Sequence, residues 1–309
     1  MTLGRAVVGL VGAAAFVAAP LLLSDYGLYL VNLVATTALI ALGLAIVTGV
    51  AGQVSLAQAA FAAIGGYGAA LLGTRLDLPL WLGIPLAAVG AGAVGYLLGF
   101  PALRLEGPYL ALVTLGLTAI VQTLLVHWPA LTHGPLGLPV PPLTLGGRPL
   151  GTGRDLYLVI LPVTVLVFAA ARRLLASRVG RALHALRQSE VAAAVLGVNP
   201  VHYKTLAFAV SAFLGGLGGG LQALLTTFLS PDAFGIVESI SFLVVIVVGG
   251  AGRISGALLG GALLVLLPEA LGAFRHFQAL VYGGLLLAFI VFVPGGLSGL
   301  AARLAWRCS

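Results

Sequence analysis

Little in this chain of 309 residues could make or break a covalent bond, and the residues that could are badly spaced for it. The single lysine, Lys204, follows Tyr203 rather than a glycine, so the G-x-x-x-x-G-K-[ST] loop that cradles nucleotide phosphates is missing. Five histidines (His127, His133, His184, His202, His276) include no i, i+4 pair of the kind that holds a metal on a helix face. The lone Cys308 rules out an intrachain disulfide and a cysteine-based metal site. There is no H-E-x-x-H, no G-x-S-x-G and no pair of mid-span carboxylates suited to proton relay. An enzyme and an independent secondary carrier are both disfavoured, and no metal or cofactor is expected. What remains is polarity of another kind. Gln53, Ser55, Gln58, Thr114, Thr118, Gln122 and Ser211 interrupt apolar runs. Such residues either line a path for a polar solute or bond a neighbouring helix. The second feature is a basic stretch, RVGRALHALRQSEVAAAVLGVNPVHYK at 178–204, set in an almost charge-free chain.

These residues must be positioned by membrane helices. The chain is 61% hydrophobic and 7% charged, against about 25% charged in a soluble domain. Ten candidate spans follow, at 6–23, 27–49, 54–73, 80–100, 108–127, 155–175, 205–228, 236–251, 254–272 and 276–294. Most are near the ~20 residues a bilayer needs, and the third, eighth and ninth are marginal. The expected fold is an all-α polytopic bundle of about ten helices, with eight to ten as the range. Arg5 and the run to Leu23, with VAA at 17–19, also have the look of a signal peptide; a first span is the reading preferred. The third span opens on the polar GQVS at 52–55, so a broken or re-entrant segment is expected there.

A net charge of +7 would suggest nucleic acid in a soluble protein; here the placement of the charges sets orientation instead. With residues 172–204 and both termini in the cytoplasm, eleven Lys and Arg residues fall inside and four (Arg75, Arg148, Arg154, Arg275) outside. Residues 128–154 then form an outer loop holding six of the 16 prolines, read as a docking or lid surface. AAIGGYGAALL at 62–72 aligns with AFLGGLGGGLQ at 212–222, which suggests an internal parallel repeat. Gly65, Gly66, Gly68, Gly215, Gly216 and Gly218 are expected to serve close helix packing.

A chain without energy-coupling chemistry, but with a basic segment between spans, points to energy from a partner. At five stretches in order the sequence resembles the LivM-type permeases of branched-chain amino-acid ABC importers, within the wider LivH/LivM family. They are AGQVSLAQAAFAAIGGYGAA at 51–70, LRLEGPYLALVTLGL at 103–117, LTHGPLGL at 131–138, GRALHALRQSEVAAAVLGVNPVHYK at 180–204, and the run from Ser230 to Leu271. The resemblance implies one permease domain spanning 1–309 in a bacterial or archaeal inner membrane. Its partners would be a LivH-type paralogue, two cytoplasmic ABC ATPase subunits and a periplasmic or lipid-anchored binding protein, with lipid around it and no nucleic acid. It implies that residues 172–204 carry a coupling helix that docks on the ATPase, with Arg181, Arg187, Glu190, Ala192, Ala193, Leu196, Gly197 and Asn199 matching the motif. Local signals agree with a short helix there. Glu190 favours its start, Gly197 and Pro200 its end, and Ala192, Ala193 and Leu196 give it a small apolar face. Gln58, His133 with Pro135, and Arg253 depart from the family pattern; Gln58 and Arg253 fall at pathway or gate positions and bear on substrate choice. A urea or short-amide importer is the alternative within the class.

Overall fold

In the computed structural model, which describes residues 20, 22–102, 105, 107–145 and 148–271 with isolated positions between 283 and 299, the apolar runs fold into helices. Apart from isolated positions, the expected first and tenth spans lie outside the described residues, as do Arg104, Glu106 and Cys308. Ser24 accepts from the Gly27 amide and starts α1, Asp25–Leu44, which continues into a π-helical stretch, Ala45–Val50. After a non-helical stretch come α2 (Gln58–Arg75), α3 (Leu80–Ala102) and α4 (Pro108–His127). The Pro/Gly-rich segment that follows is built of turns and short strands. In it, β1 (Leu138–Pro139) precedes the two strands of a hairpin, β2 (Leu143–Leu145) and β3 (Arg148–Leu150).

Thr152 and Asp155 form a capping box at the start of α5, Gly153–Ala176. Two short helices, α6 (Arg178–Gln188) and α7 (Glu190–Val195), lead into the long α8, Pro200–Thr226. A turn then brings β4, Phe228–Leu229, antiparallel to β1, and the chain continues through α9 (Ile236–Gly249) and α10 (Ile254–Ala270).

Among the described residues, five helical segments are long and apolar enough to cross a bilayer: Asp25–Val50, Leu80–Pro101, Pro108–His127, Gly153–Ala176 and Pro200–Thr226. Helices α9 and α10 are apolar but shorter. The apolar windows of α1 and α8 are 78% and 72% buried, those of α4 and α5 only 22% and 17%, so α1 and α8 form the centre and α4 and α5 the rim. Along α4 the buried residues are Leu110, Thr114, Thr118 and Leu125, a single stripe at helical spacing. The expected third span, 54–73, needs correction at its start, because helix begins only at Gln58. The expected span at 205–228 starts earlier, at Pro200, because Asn199 and Pro200 supply a cap and a first helical residue.

The two glycine-rich segments lie against each other. A Cβ on Gly65 of α2 would run into the backbone of Gly216 in α8, and one on Gly219 into the backbone of Ala62. On its other flanks α8 meets α1 and α3: a Cβ at Gly218 would stand 3.0 Å from the Thr36 carbonyl, and one at Gly216 would stand 2.7 Å from the Ala91 Cβ. Glycine thus lets one helix touch three neighbours at backbone distance. Lipid gives no hydrophobic drive to helix association, so this contact density matters. Gly65→Ala should therefore destabilise the purified protein by about 1–3 kcal/mol, the usual range for overpacking against atoms that cannot yield. Gly116→Ala, on a face of α4 where a Cβ meets nothing within 4 Å, should leave the thermal midpoint unchanged or raise it. Equal midpoints for both variants would refute the backbone-contact account.

Candidate functional site: a broken helix and a capped loop

Between Ala51 and Ala57 the chain is neither helix nor strand, yet Ser55 and Ala57 are fully buried. Gly52 makes the turn, with φ of +75°. Backbone that leaves helical geometry inside an apolar bundle must find partners for its N–H and C=O groups. Here side chains supply them. The Leu56 amide donates to Thr114 Oγ1 at 2.8 Å, and Thr118 Oγ1 donates to the Leu56 carbonyl at 2.8 Å. Thr114 and Thr118 are one helical turn apart, so one stripe of α4 serves both groups of the same residue. The Ala59 amide, in the first turn of α2, donates to Ser239 Oγ of α9 at 3.1 Å, and Ser239 Oγ lies 3.3 Å from Thr118 Oγ1. Thr48 closes the other end, donating to the Gln53 carbonyl and accepting from the Ser55 amide.

Gln58 is fully buried as the first residue of α2. Its Nε2 donates to the Ile40 carbonyl of α1 at 2.7 Å, and its Oε1 accepts from Ser211 Oγ of α8 at 3.2 Å. Gly43 and Gly215 make the notch, since a Cβ on either would stand 2.7 Å from Nε2. Of the polar candidates, Ser55, Gln58, Thr114, Thr118 and Ser211 therefore come together around the break, each 0% exposed. Gln53 and Gln122 are half-buried, and Gln122 lies against Gly235 at the start of α9.

The basic loop is rigidly capped. Ser177 accepts from the Val179 amide, Ser189 from Ala192 and Asn199 from His202, so serine or asparagine starts α6, α7 and α8. At the end of α7, Gly197 has φ of +84°. The Val198 amide reaches the Ala193 carbonyl and the Gly197 amide reaches that of Ala194, a complete Schellman motif. Glu190 Oε2 takes a 2.5 Å ion pair from Lys204, whose side chain is only 4% exposed, fastening α7 to α8. Arg187 Nη1 donates to the Gly49 carbonyl in the π-helical stretch. It lies among Gly49, Gly52 and Gly252, and a Cβ on Gly252 would stand 3.2 Å from Nη1.

The arrangement corrects one expectation. Ala193 does not belong to the open face of α7; it is 2% exposed and packs inward. The open face is formed by Val191, Val195 and Leu196, exposed to 77%, 82% and 82%, with Ala192 beside them. Arg181 is exposed and donates to the Ala176 carbonyl, and Asn199 serves as the cap of α8. Sequence reasoning missed Ser239, Thr48 and the Lys204–Glu190 pair. The last had a signal, since the only lysine stands 14 residues from one of the few acids. Among the described residues no cluster of His, Cys, Asp and Glu could hold a metal ion.

A multi-helix apolar bundle with a helix broken inside it, and a rigid basic loop between spans, defines a membrane transport component. The chain belongs to the family described as branched-chain amino acid transport system / permease component, which matches residues 26–293. It is 38% identical over 283 residues to the high-affinity branched-chain amino acid transport system permease protein LivM of Escherichia coli K12, covering 84% of this chain and 67% of that protein. It is 27% identical to the LivH permease of Salmonella typhimurium, over 87% of this chain and 93% of the relative. A probable branched-chain amino acid transport permease LivM of Methanocaldococcus jannaschii is 23% identical over 71% of this chain and 68% of its own length. No solved structure matches the chain significantly.

The bonds around the break carry a direct test. Thr118→Val should strand the Leu56 carbonyl and destabilise the protein by about 1–3 kcal/mol, the penalty for an unsatisfied buried group. Thr118→Ser keeps the hydroxyl and should lose only a methyl group. Thermal unfolding in detergent measures both, and a valine variant as stable as the serine variant would count against the break's dependence on this bond.

Proposed function

We propose that this chain is the membrane-spanning subunit of an ATP-driven importer for branched-chain amino acids, taking substrate from a binding protein and energy from two cytoplasmic ABC ATPase subunits. It works beside a LivH-type paralogue in the inner membrane, with about ten spans, both termini and residues 172–204 in the cytoplasm, and residues 128–154 at the outer face. The match of the two glycine segments, which pack on each other, supports an internal duplication. The chain carries no ATPase site of its own, in keeping with the lysine that no glycine precedes.

The observation that carries this reading is the linkage of loop to break. An exposed apolar face on a short, capped helix is a ready docking surface. Arg187, on the helix before it, grips the backbone where α1 unwinds. A push on α7 therefore reaches the broken segment through the side chain of Arg187 as well as through α8, to which the Lys204–Glu190 pair ties it.

Docking and transmission separate by mutation. Val195→Asp with Leu196→Asp should leave membrane levels normal and abolish recovery of the ATPase subunits on purification. Arg187→Ala should keep that recovery while lowering leucine uptake about tenfold, the equivalent of roughly 1.4 kcal/mol in a barrier. An Asp pair that still recovers the ATPase would sink the docking face. An Arg187→Ala importer at full rate would sink the transmission step. Sidedness has its own test. With Cys308 replaced by serine, an impermeant thiol reagent added outside should label Gly151→Cys and spare Ser189→Cys, whereas the reverse pattern would overturn the orientation.

A further inference from the structure

Two spaces in the bundle share a wall made by Gln222 of α8 and Glu238 of α9. The smaller, about 60 Å³, is lined by Ile40, Ala62, Phe234 and Phe242 beside that wall and by the exposed Thr226, Phe228 and Ala233 on its outer side. The larger is an open groove of about 510 Å³ between α1, α9 and α10, with Tyr29, Leu33, Thr37 and Leu264 among its lining. Glu238 and Gln222 are both half-buried. Among the described residues neither the Glu238 carboxylate nor the Gln222 amide group has a hydrogen-bond partner, and no Lys, Arg or His lines either space. Glu238 stands in the first turn of α9 and lines both spaces, and an ionisable side chain facing a cavity between apolar helices usually marks a solute path.

We propose that Gln222 and Glu238 form the transient substrate site of the permease. The Glu238 carboxylate accepts hydrogen bonds from the substrate's α-ammonium, the Gln222 amide N–H donates to its carboxylate, and Ile40, Phe234 and Phe242 receive the branched side chain. This rests on the importer reading above and assigns the site within it. The chemistry matches a zwitterion with an apolar side chain, whose ammonium meets the carboxylate of Glu238 while its side chain meets the apolar wall. The smaller space, at ~10–15 Å³ for each water, holds only a few waters. It is too small for leucine, so loading requires α9 to shift. Glu238 is adjacent to Ser239, whose hydroxyl holds the first turn of α2 at the break. Movement at the break thus changes the site directly, and the wall residues face the substrate as the space widens.

The test uses the assembled importer in proteoliposomes, with its paralogue, ATPase subunits and leucine-loaded binding protein. Glu238→Gln and Gln222→Leu should each lower leucine uptake about tenfold or more, the worth of one hydrogen bond to a charged group. Subunit co-purification and thermal midpoint should stay at wild-type values, and Glu238→Asp should recover part of the uptake. Wild-type uptake by Glu238→Gln, in an importer whose parent carries leucine, would overturn the site and leave the importer reading intact. Loss of uptake together with loss of assembly or thermal stability would also overturn it, since that marks a structural role. A parent complex that carries no branched-chain amino acid would overturn the importer reading, and this site with it.

Discussion

Backbone groups that leave a helix inside an apolar bundle have no water to turn to, and the segment from Ala51 to Ala57 places such groups at the centre of this protein. Thr118 is ten residues from the start of α4, about 15 Å along its axis at 1.5 Å per residue, or roughly half a bilayer core. At that depth the two polar groups of Leu56 are met by Thr114 and Thr118, and the Ala59 amide by Ser239. Each bond comes from another helix, so the break fixes where α4 and α9 stand. Gln58 does the same for α1 and α8 from the next turn. The polar side chains in these spans thus hold the broken chain together, which is a different task from lining a wide pore.

A helix that starts late, as α2 does, has fewer turns in which to find contacts. Glycine compensates by proximity. At Gly65 and Gly216 the two backbones approach until no side chain fits between them, and the row continues at Gly219 and Ala62. Dispersion between closely packed atoms is the attraction that lipid cannot match, because lipid supplies no hydrophobic drive. Gly43 and Gly215 show a second use of the same residue, opening the notch in which the Gln58 amide reaches a main-chain carbonyl.

Much of this was legible in the sequence. The apolar runs from 27 to 272 mark most of the helices, and the polar GQVS at 52–55 marks the break. Gly197 and Pro200 mark the end of a short helix in the basic loop, and the structure closes α7 at Gly197 and opens α8 at Pro200. Two kinds of feature were not legible. Which face of a six-residue helix turns inward depends on neighbours outside it, so Ala193 could not be told from Val195 by spacing alone. Partners distant in sequence, such as Ser239 for Ala59 at a separation of 180 residues, follow from the fold and leave no local pattern.

The way the break is held also explains why it can serve as the moving part. Within a continuous helix, every backbone bond belongs to a ladder in which each neighbour supports the next, and opening one turn disturbs several. At 51–57 the Ala51 and Gln53 amides still reach the Ile46 and Val47 carbonyls, but from the Gln53 carbonyl to Leu56 the backbone is held by single hydroxyls on rotatable side chains, each worth about 0.5–1.5 kcal/mol net. Exchanging one such partner for another leaves the flanking helices intact. Arg187 reaches the near end of this segment at Gly49, and Ser239 holds its far end at Ala59. Under the coupling proposed for this chain, a displacement at α6 and α7 enters a segment whose own bonds are weak and leaves through α9. The rigid glycine-packed core of α2 and α8 does not have to deform for that displacement to pass.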